Sequence, residues 1–296
     1  MNQNSSGYLY AFGAAIALSA SFIFSKSVLN QISMIQFGVV WFSIGIVWNG
    51  AWYFGRGKHK RSGSNRKKRI TVAFLIAILE GVATGLFYLA IRAMDNPAVV
   101  SFIGNIGPVF VTIMGITLLR ERFNSYQFAG ILATILGVFL LNFRDGAFMG
   151  FSDPGAVYVI CASFLFALAT IAGRGFKSHL DPELMSFIRT ILLAFAFILL
   201  AVVKEVSFNF EAVVWRDLAL GSLFETLLTI VFAYQALKRI KATSTSLIIS
   251  SKAVWTLFLA WIFLDVFPSE IQLIGGGLTM LGIYMITWKF KTKNRG

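Results

Sequence analysis

Long runs of apolar residues, separated by short polar breaks, fill almost the whole chain. A helix needs about 20 consecutive apolar residues to cross a hydrocarbon core of roughly 30 Å. Lipid offers no partners to open backbone groups, so helices are the structure that this pattern favours. It predicts an all-α membrane protein with ten transmembrane helices. The predicted spans are 7–28, 35–55, 70–93, 97–119, 124–143, 155–175, 184–203, 217–238, 242–265 and 270–289.

The two halves of the chain resemble each other, which predicts two repeats of five helices, 1–146 and 147–296. Matching residues recur in the same order at an offset of about 145 positions. Because five is an odd number, the second repeat enters the membrane upside down, around a central cavity. Inverted repeats of this kind are typical of transporters that alternate between inward-facing and outward-facing states. The matches include Glu80 with Glu225, Tyr88 with Tyr234, Gly130 with Gly275 and Gly137 with Gly282.

Composition agrees with a protein that has lipid as its solvent. Hydrophobic residues make up 57% of the chain and charged residues 13%, with a mean hydropathy of +0.76. Soluble domains are about 45–50% apolar and about 25% charged. A single cysteine, Cys161, excludes a disulfide within the chain and a cysteine-rich metal site.

The net charge of +13 is arranged as an orientation signal and not as a nucleic-acid surface. Nineteen of the 26 Lys and Arg residues fall on one side of the predicted membrane, among them the 56–69 loop and a basic tail. Cytoplasmic loops carry such an excess. We therefore expect a multi-pass protein of the cell (inner) membrane with both termini in the cytoplasm, with the lipid bilayer and a small-molecule substrate as its partners and no nucleic acid. It would act as a monomer or a homodimer.

Three ionisable residues lie near mid-depth of predicted spans: Glu80, Glu225 and Lys252. A charge at that depth costs at least a few kcal/mol and should face a cavity or a partner. The sequence offers Lys252 as the nearest partner of Glu225, so these two are expected to form the polar floor of a substrate site. Glu80 has no evident partner, and desolvation favours its neutral form, so it is the predicted proton-coupling residue. The alternatives are structural hydrogen bonds for the glutamates and a static ion pair for Lys252.

Repeated motifs carry a resemblance to a known family. The first half reads Tyr88-Leu-Ala-Ile-Arg92, Asn105-Ile-Gly-Pro108 and Leu119-Arg-Glu121, and the second reads Tyr234-Gln-Ala-Leu-Lys238, Ser251-Lys-Ala-Val-Trp255 and Phe263-Leu-Asp265. The chain resembles the drug/metabolite transporter superfamily of EamA type over residues 7–289. The resemblance implies two five-helix bundles around a central cavity, worked by proton exchange or by substrate gradients. Two positions depart from the pattern: the second half lacks the fourth-helix proline, and Trp41 stands where the second half has Arg189.

Further candidates for the substrate site come from the helices that line the cavity in that family. Trp255, Tyr88 and Tyr234 are the aromatic candidates, and an aromatic wall beside Glu225 would attract a cationic ligand. Asn105 and Ser251 are candidates for hydrogen bonds to a ligand, although polar contacts between helices are an equal alternative. The Gly81-x-x-x-Gly85 spacing is interpreted as helix packing.

No nucleotide-binding loop, metal motif or nucleophile elbow is present in the sequence, so we expect neither a cofactor nor enzymatic activity. The sequence favours a secondary transporter, an exporter of a small polar or amphipathic metabolite such as an amino acid. The alternative within transport is a carrier of organic cations, amines or drugs. A membrane enzyme, a sensor and a channel are less favoured: the chain has no catalytic set or soluble output domain, and its intramembrane charges cluster near mid-depth.

Overall fold

The computed structural model describes residues 3–55, 66–93, 103–141, 155–204, 206, 208–264 and 269–287, and every regular element within them is helical. The all-α prediction is therefore confirmed for this part of the chain. The helices are α1 Gln3–Leu29, α2 Met34–Gly55, α3 Arg66–Ala93, α4 Gly107–Thr117, α5 Ser125–Leu141, α6 Gly155–Gly175, α7 Pro182–Val203, α8 Ala212–Ser222, a π-helix Leu223–Thr229, α9 Ile230–Leu237, α10 Ala242–Ser250, α11 Lys252–Leu264 and α12 Glu270–Thr287.

Seven helical stretches in the described residues are long and apolar enough to cross a membrane. Two shorter apolar helices, 107–117 and 125–141, fall within further predicted spans. The predicted span 242–265 contains two helices, α10 and α11, that meet at Ser251. The seven long stretches are Ser5–Leu29, Met34–Gly55, Arg66–Phe87, Gly155–Gly175, Pro182–Val203, Ala212–Leu237 and Glu270–Thr287.

Local sequence signals place several helix ends. Asp181 precedes α7, and its side chain accepts a hydrogen bond from the backbone N–H of Leu184 at 3.4 Å. Pro182 occupies the first turn, where its missing N–H costs nothing. Glu121 caps a helix that is distant in sequence, because its carboxylate accepts the backbone N–H groups of Ala242 at 2.6 Å and Thr243 at 3.2 Å. That contact joins the loop before α5 to the start of α10.

Helices α5 and α12 pack backbone against backbone through their glycines. A Cβ atom on Gly137 would lie 2.5 Å from the amide nitrogen of Thr279, and one on Gly130 would lie 2.8 Å from the carbonyl oxygen of Gly282. Gly130 meets Gly282 and Gly137 meets Gly275, so the two helices run antiparallel. These are the glycines that match between the halves of the sequence.

The prediction that the Gly81-x-x-x-Gly85 spacing packs against another helix is wrong for the described chain. A Cβ atom added to Gly81 or to Gly85 on α3 would meet no atom within 4 Å. The Gly81-x-x-x-Gly85 segment therefore does not form a close helix contact within the described chain. Spacing alone cannot indicate whether a small-residue face points toward another helix.

Helix α1 separates two groups of helices in the second half of the chain. One face meets the π-helix and α9, where Phe24 stacks on Phe224 with ring centroids 6.0 Å apart and Gly13 abuts Phe232. Another face meets α10 and α11, where Ser19 donates a hydrogen bond to the carbonyl of Lys252 at 2.8 Å. Successive residues of an α-helix are 100° apart, so these contacts fall on different sides of a cylinder about 10 Å across.

Candidate functional site

A buried arginine bridges the two intramembrane glutamates. Arg189 Nε lies 2.7 Å from Glu80 Oε2, and Arg189 Nη2 lies 2.9 Å from Glu225 Oε1. The side chains of Arg189, Glu80 and Glu225 are 6%, 10% and 19% exposed. The contact with Glu225 is a directed hydrogen bond, whereas the contact with Glu80 is close in distance without hydrogen-bond geometry. We call Glu80, Arg189 and Glu225 the charge cluster.

Two aromatic side chains donate hydrogen bonds to the same carboxylates. The Tyr234 hydroxyl donates to Glu80 Oε1 at 2.5 Å, and the Trp41 indole N–H donates to Glu225 Oε2 at 3.2 Å. Both residues are buried. Glu225 therefore has one charged and one neutral hydrogen-bond donor, whereas Glu80 has a neutral donor and an ion pair with Arg189. Two carboxylates against one guanidinium, each in its ionised form, leave one net negative charge in the cluster.

A π-helix carries Glu225 into this position. Residues Leu223–Thr229 form wider turns than an α-helix, and such segments are frequent at functional sites. Neighbouring helices support the turn, since the Thr226 carbonyl accepts hydrogen bonds from Ser186 of α7 and from Asn49 of α2 at 3.2 Å. Gly45 allows α2 to pack closely against the π-helix, because a Cβ atom at this position would lie 2.7 Å from Thr226 Oγ1. The position of Glu225 is thus set by helices on both sides of it.

The structure brings together three of the predicted site residues, Glu80, Glu225 and Tyr234. The predicted pairing of Glu225 with Lys252 was wrong. Glu225 pairs with Arg189 and not with Lys252, and Glu80 is paired as well. Depth along a helix does not define which side chains meet, and α1 lies between Lys252 on α11 and Glu225 on the π-helix.

Lys252 begins α11 on the far side of α1. Its ammonium nitrogen lies 5.2 Å from the centroid of the Phe22 ring, within the range of a cation–π contact. No carboxylate pairs with it in the described chain. Trp255 lies on the same helix, one turn further along. The substrate-binding roles that the sequence suggested for both residues stay predictions.

The remaining candidates lie away from the charge cluster or outside the described atoms. Ser251 is buried, and its hydroxyl donates to the carbonyl of Ile248 at 2.6 Å, at the junction of α10 and α11. Asn105 lies half-buried in the turn before α4. The backbone of Tyr88 is in α3, but its side chain is outside the described part of the structure. The binding roles of these residues are predictions as well.

Sequence reasoning missed Arg189 and Trp41 as members of the site. Both had been noted, because they occupy matching positions in the two halves of the chain. The available signal was a lone arginine inside an apolar span, since such a residue is costly unless it faces a partner or a cavity. Positions 41 and 189 correspond in the repeat, and both side chains contact Glu225.

The charge cluster suits the handling of cations and protons. An ammonium group could replace the guanidinium beside either carboxylate, and each carboxylate has a neutral donor that would remain. Arg189 Nη1 is buried without a hydrogen-bond partner in the described residues, so it can still donate to an acceptor. Among the described residues, no group of three His, Cys, Asp or Glu side chains could hold a metal ion.

Comparison with known proteins finds a family match and similar relatives for this chain. The EamA-like transporter family matches residues 5–143 and again residues 153–288. An uncharacterized transporter of Archaeoglobus fulgidus is 27% identical over 300 residues, which cover 97% of this chain and 99% of the relative. The uncharacterized transporter YoaV of Bacillus subtilis is 28% identical over 195 residues, 63% of this chain and 65% of the relative.

The fold has a counterpart among solved structures. One crystal structure superposes with a TM-score of 0.76 and covers 96% of this chain and 98% of its own. Its sequence is 18% identical, so the likeness concerns the fold alone. The family thus matches once in each half of the chain, and the repeat bounds 1–146 and 147–296 stay predictions.

Proposed function

Because the chain belongs to the EamA-like transporter family, we propose that it is a secondary transporter that exports a small polar or amphipathic metabolite, such as an amino acid, by alternating access. The observation that carries this proposal is the charge cluster. Glu80 comes from the first repeat, whereas Arg189 and Glu225 come from the second. A ligand that competes for these ion pairs acts directly on the contact between the two repeats.

The cluster supplies a physical route from binding to movement. An ammonium group beside Glu225 would compete with Arg189 for the same carboxylate, and the substrate carboxylate would receive the free Nη1 donor of Arg189. A ligand shifts a conformational equilibrium only by its difference in affinity for the two states. Loss of the bridge between Glu80 and Glu225 provides that difference. In this proposal the two repeats are inverted with respect to each other. The antiparallel packing of α5 on α12, the last helix of each repeat, supports that arrangement.

A second candidate substrate class is organic cations. The net negative charge of the cluster and the rings of Trp41 and Tyr234 favour a cation without a carboxylate. The two classes differ in whether Arg189 Nη1 receives an acceptor from the ligand. An amine would leave that donor unused.

Transport is tested with purified protein in proteoliposomes that contain no ATP. A mixture of radiolabelled amino acids and a mixture of benzylamine and tetraethylammonium are offered separately, under an imposed pH gradient. We expect accumulation of at least one amino acid above the level in protein-free liposomes. Accumulation from the amine mixture alone would favour the second class. No accumulation from either mixture under any gradient would refute gradient-driven transport of both classes.

Glu80 is proposed as the proton-coupling residue. Glu80→Gln keeps an acceptor for the Tyr234 hydroxyl but removes the group that can gain and lose a proton beside Arg189 and Glu225. We expect this variant to exchange labelled for unlabelled substrate across the membrane while its accumulation no longer responds to pH between 5.5 and 8.5. Uptake and exchange rates measured side by side separate the two activities.

The control for this experiment is Asp217→Asn. Asp217 is also buried, but it pairs with Ser27 and Arg216 on another part of the molecule. This variant should keep the pH response. If Glu80→Gln retains the full response, or if Asp217→Asn loses it equally, Glu80 has no special role in coupling.

The proposed orientation, with both termini in the cytoplasm of a cell membrane, is tested by labelling. In a Cys161→Ser background, cysteines are introduced singly at Gln31 and Ser178, both exposed in loops. We expect a membrane-impermeant thiol reagent on intact cells to label position 31 alone and to reach position 178 only after the cells are opened. Labelling of both positions from outside would contradict the predicted topology.

A further inference from the structure

The face of α11 that turns toward α1 presents three side-chain donors for which the described residues show no hydrogen-bond acceptor. Lys252, Trp255 and Thr256 are three and four residues apart, so their side chains lie on one side of the helix. The contacts of Lys252 fix that side: its ammonium group lies over the Phe22 ring of α1. Trp255 Nε1 and Thr256 Oγ1 are buried without a hydrogen-bond partner in the described residues. We call Lys252, Trp255 and Thr256 the donor face.

Thr256 differs from most helical threonines of the described chain, although the Thr243 hydroxyl is likewise buried without a hydrogen-bond partner. A helical threonine can donate its hydroxyl to the carbonyl four residues earlier, as Thr134 donates to Gly130 at 2.8 Å. The corresponding acceptor for Thr256 is the carbonyl of Lys252, and the Ser19 hydroxyl lies 2.8 Å from that oxygen and equally close to the carbonyl oxygen of Ala15. Among the described residues, the Thr256 hydroxyl has no hydrogen-bond partner.

The indole N–H of Trp255 has no acceptor among the described residues, in contrast to those of Trp41 and Trp48. The indole N–H of Trp41 donates to Glu225, and that of Trp48 donates to the Ala219 carbonyl at 3.1 Å. A buried donor without an acceptor is destabilising, because it has lost its hydrogen bonds to water. Two such donors beside an ammonium group on one face therefore call for a shared acceptor.

We propose that the donor face binds the carboxylate of an organic acid with an apolar body, at a site separate from the charge cluster. The ammonium of Lys252 would pair with the carboxylate, and the Trp255 and Thr256 donors would each hydrogen-bond to its oxygens. The half-exposed ring of Phe22 offers an apolar contact for the body of the ligand.

Depth favours an acid over the phosphate of a membrane lipid. Lys252 lies about ten residues, or roughly 15 Å, from the start of α10, which is near the middle of a hydrocarbon core of about 30 Å. Headgroup phosphates lie outside that core. A carboxylate could arrive on a water-soluble acid or on a fatty acid from the bilayer, and the chemistry of recognition is the same for both.

The separation from the charge cluster follows from the position of α1. The Lys252 contacts fall on the face of α1 that carries Ser19 and Phe22, whereas the contact with the π-helix is made by Phe24. Positions 22 and 24 are about 200° apart around a helix. One small ligand therefore cannot touch Lys252 and Glu225 together in this conformation, so the donor face is a second site.

The experiment uses the full chain in nanodiscs of neutral phosphatidylcholine and needs no transport. Phenylacetate, oleate and benzylamine are titrated separately while the thermal unfolding midpoint and the tryptophan fluorescence are measured. The variants are Lys252→Met and Thr256→Val, which remove a donor with little change in volume, and Trp255→Phe, which removes the indole N–H together with one ring; Lys204→Met is the control. A negative binding result would thus leave the transport proposal standing. A negative transport result would leave the proposed carboxylate site standing.

We expect at least one of the two carboxylates to stabilise the wild-type protein and benzylamine to have no effect. Lys252→Met should weaken carboxylate binding by about tenfold or more, the other two variants should weaken it by less, and Lys204→Met should leave it unchanged. Binding of phenylacetate alone identifies a water-soluble acid, and binding of oleate alone identifies a fatty acid. The proposal is overturned if neither carboxylate binds, if Lys252→Met binds as well as wild type, or if benzylamine binds equally.

Discussion

Replacement of Arg189 by methionine is expected to abolish gradient-driven uptake and to lower the free energy of unfolding by about 3–5 kcal/mol. The guanidinium is buried between Glu80 and Glu225, at 2.7 Å and 2.9 Å. Its removal leaves two carboxylates without their shared counter-charge in a region of low dielectric. The unfolding midpoint of the purified variant and its uptake in proteoliposomes measure the two effects.

A combined variant separates stability from transport. Glu80→Gln, Arg189→Met and Glu225→Gln together remove all three charges, and replacement of an entire buried ion network is often close to neutral. We expect the triple variant to recover most of the lost unfolding midpoint while its uptake remains absent. Recovery of uptake would show that the charges are structural only. A single Arg189→Met variant as stable as wild type would contradict the burial of an ion network at this position.

Replacement of Gly137 by leucine should prevent the protein from folding to a stable form. A Cβ atom at this position would lie 2.5 Å from the Thr279 amide nitrogen and 2.6 Å from the Gly275 carbonyl oxygen. These are backbone atoms of α12 and cannot move aside as a flexible side chain can. Overpacking in a tight contact costs typically about 1–3 kcal/mol, and a clash with backbone belongs at or above the upper end of that range.

Gly277→Leu is the matched control for this prediction. It lies on α12 and is exposed, and a Cβ atom there would meet nothing within 4 Å. Size-exclusion profiles and unfolding midpoints of the two detergent-solubilised variants provide the comparison. We expect Gly277→Leu to match wild type and Gly137→Leu to aggregate or to unfold at a much lower temperature. Equal behaviour of the two variants would mean that α5 and α12 do not pack as closely as described.

The sequence by itself determined the features that depend on position along the chain. Apolar runs fixed the all-helical class, because lipid requires each backbone to satisfy its own hydrogen bonds. Asp181-Pro182 placed the start of α7, because capping is a local interaction. The repeat matches identified Gly130, Gly137, Gly275 and Gly282, which meet between α5 and α12. The family motifs, which are also local, predicted the transporter family correctly.

Only the tertiary structure decided which charges meet. Glu225 and Lys252 both lie deep in their spans, yet α1 stands between them, and the partner of both glutamates is Arg189. A span gives the depth of a residue but not the direction in which its side chain points, because rotation of a helix about its axis is set by packing against its neighbours. The π-helix changes that direction at Glu225, and its wide turn is supported by Ser186 and Asn49 from other helices. Sequence pattern therefore sufficed for the fold, whereas the site depended on rotations that only the packed helices define.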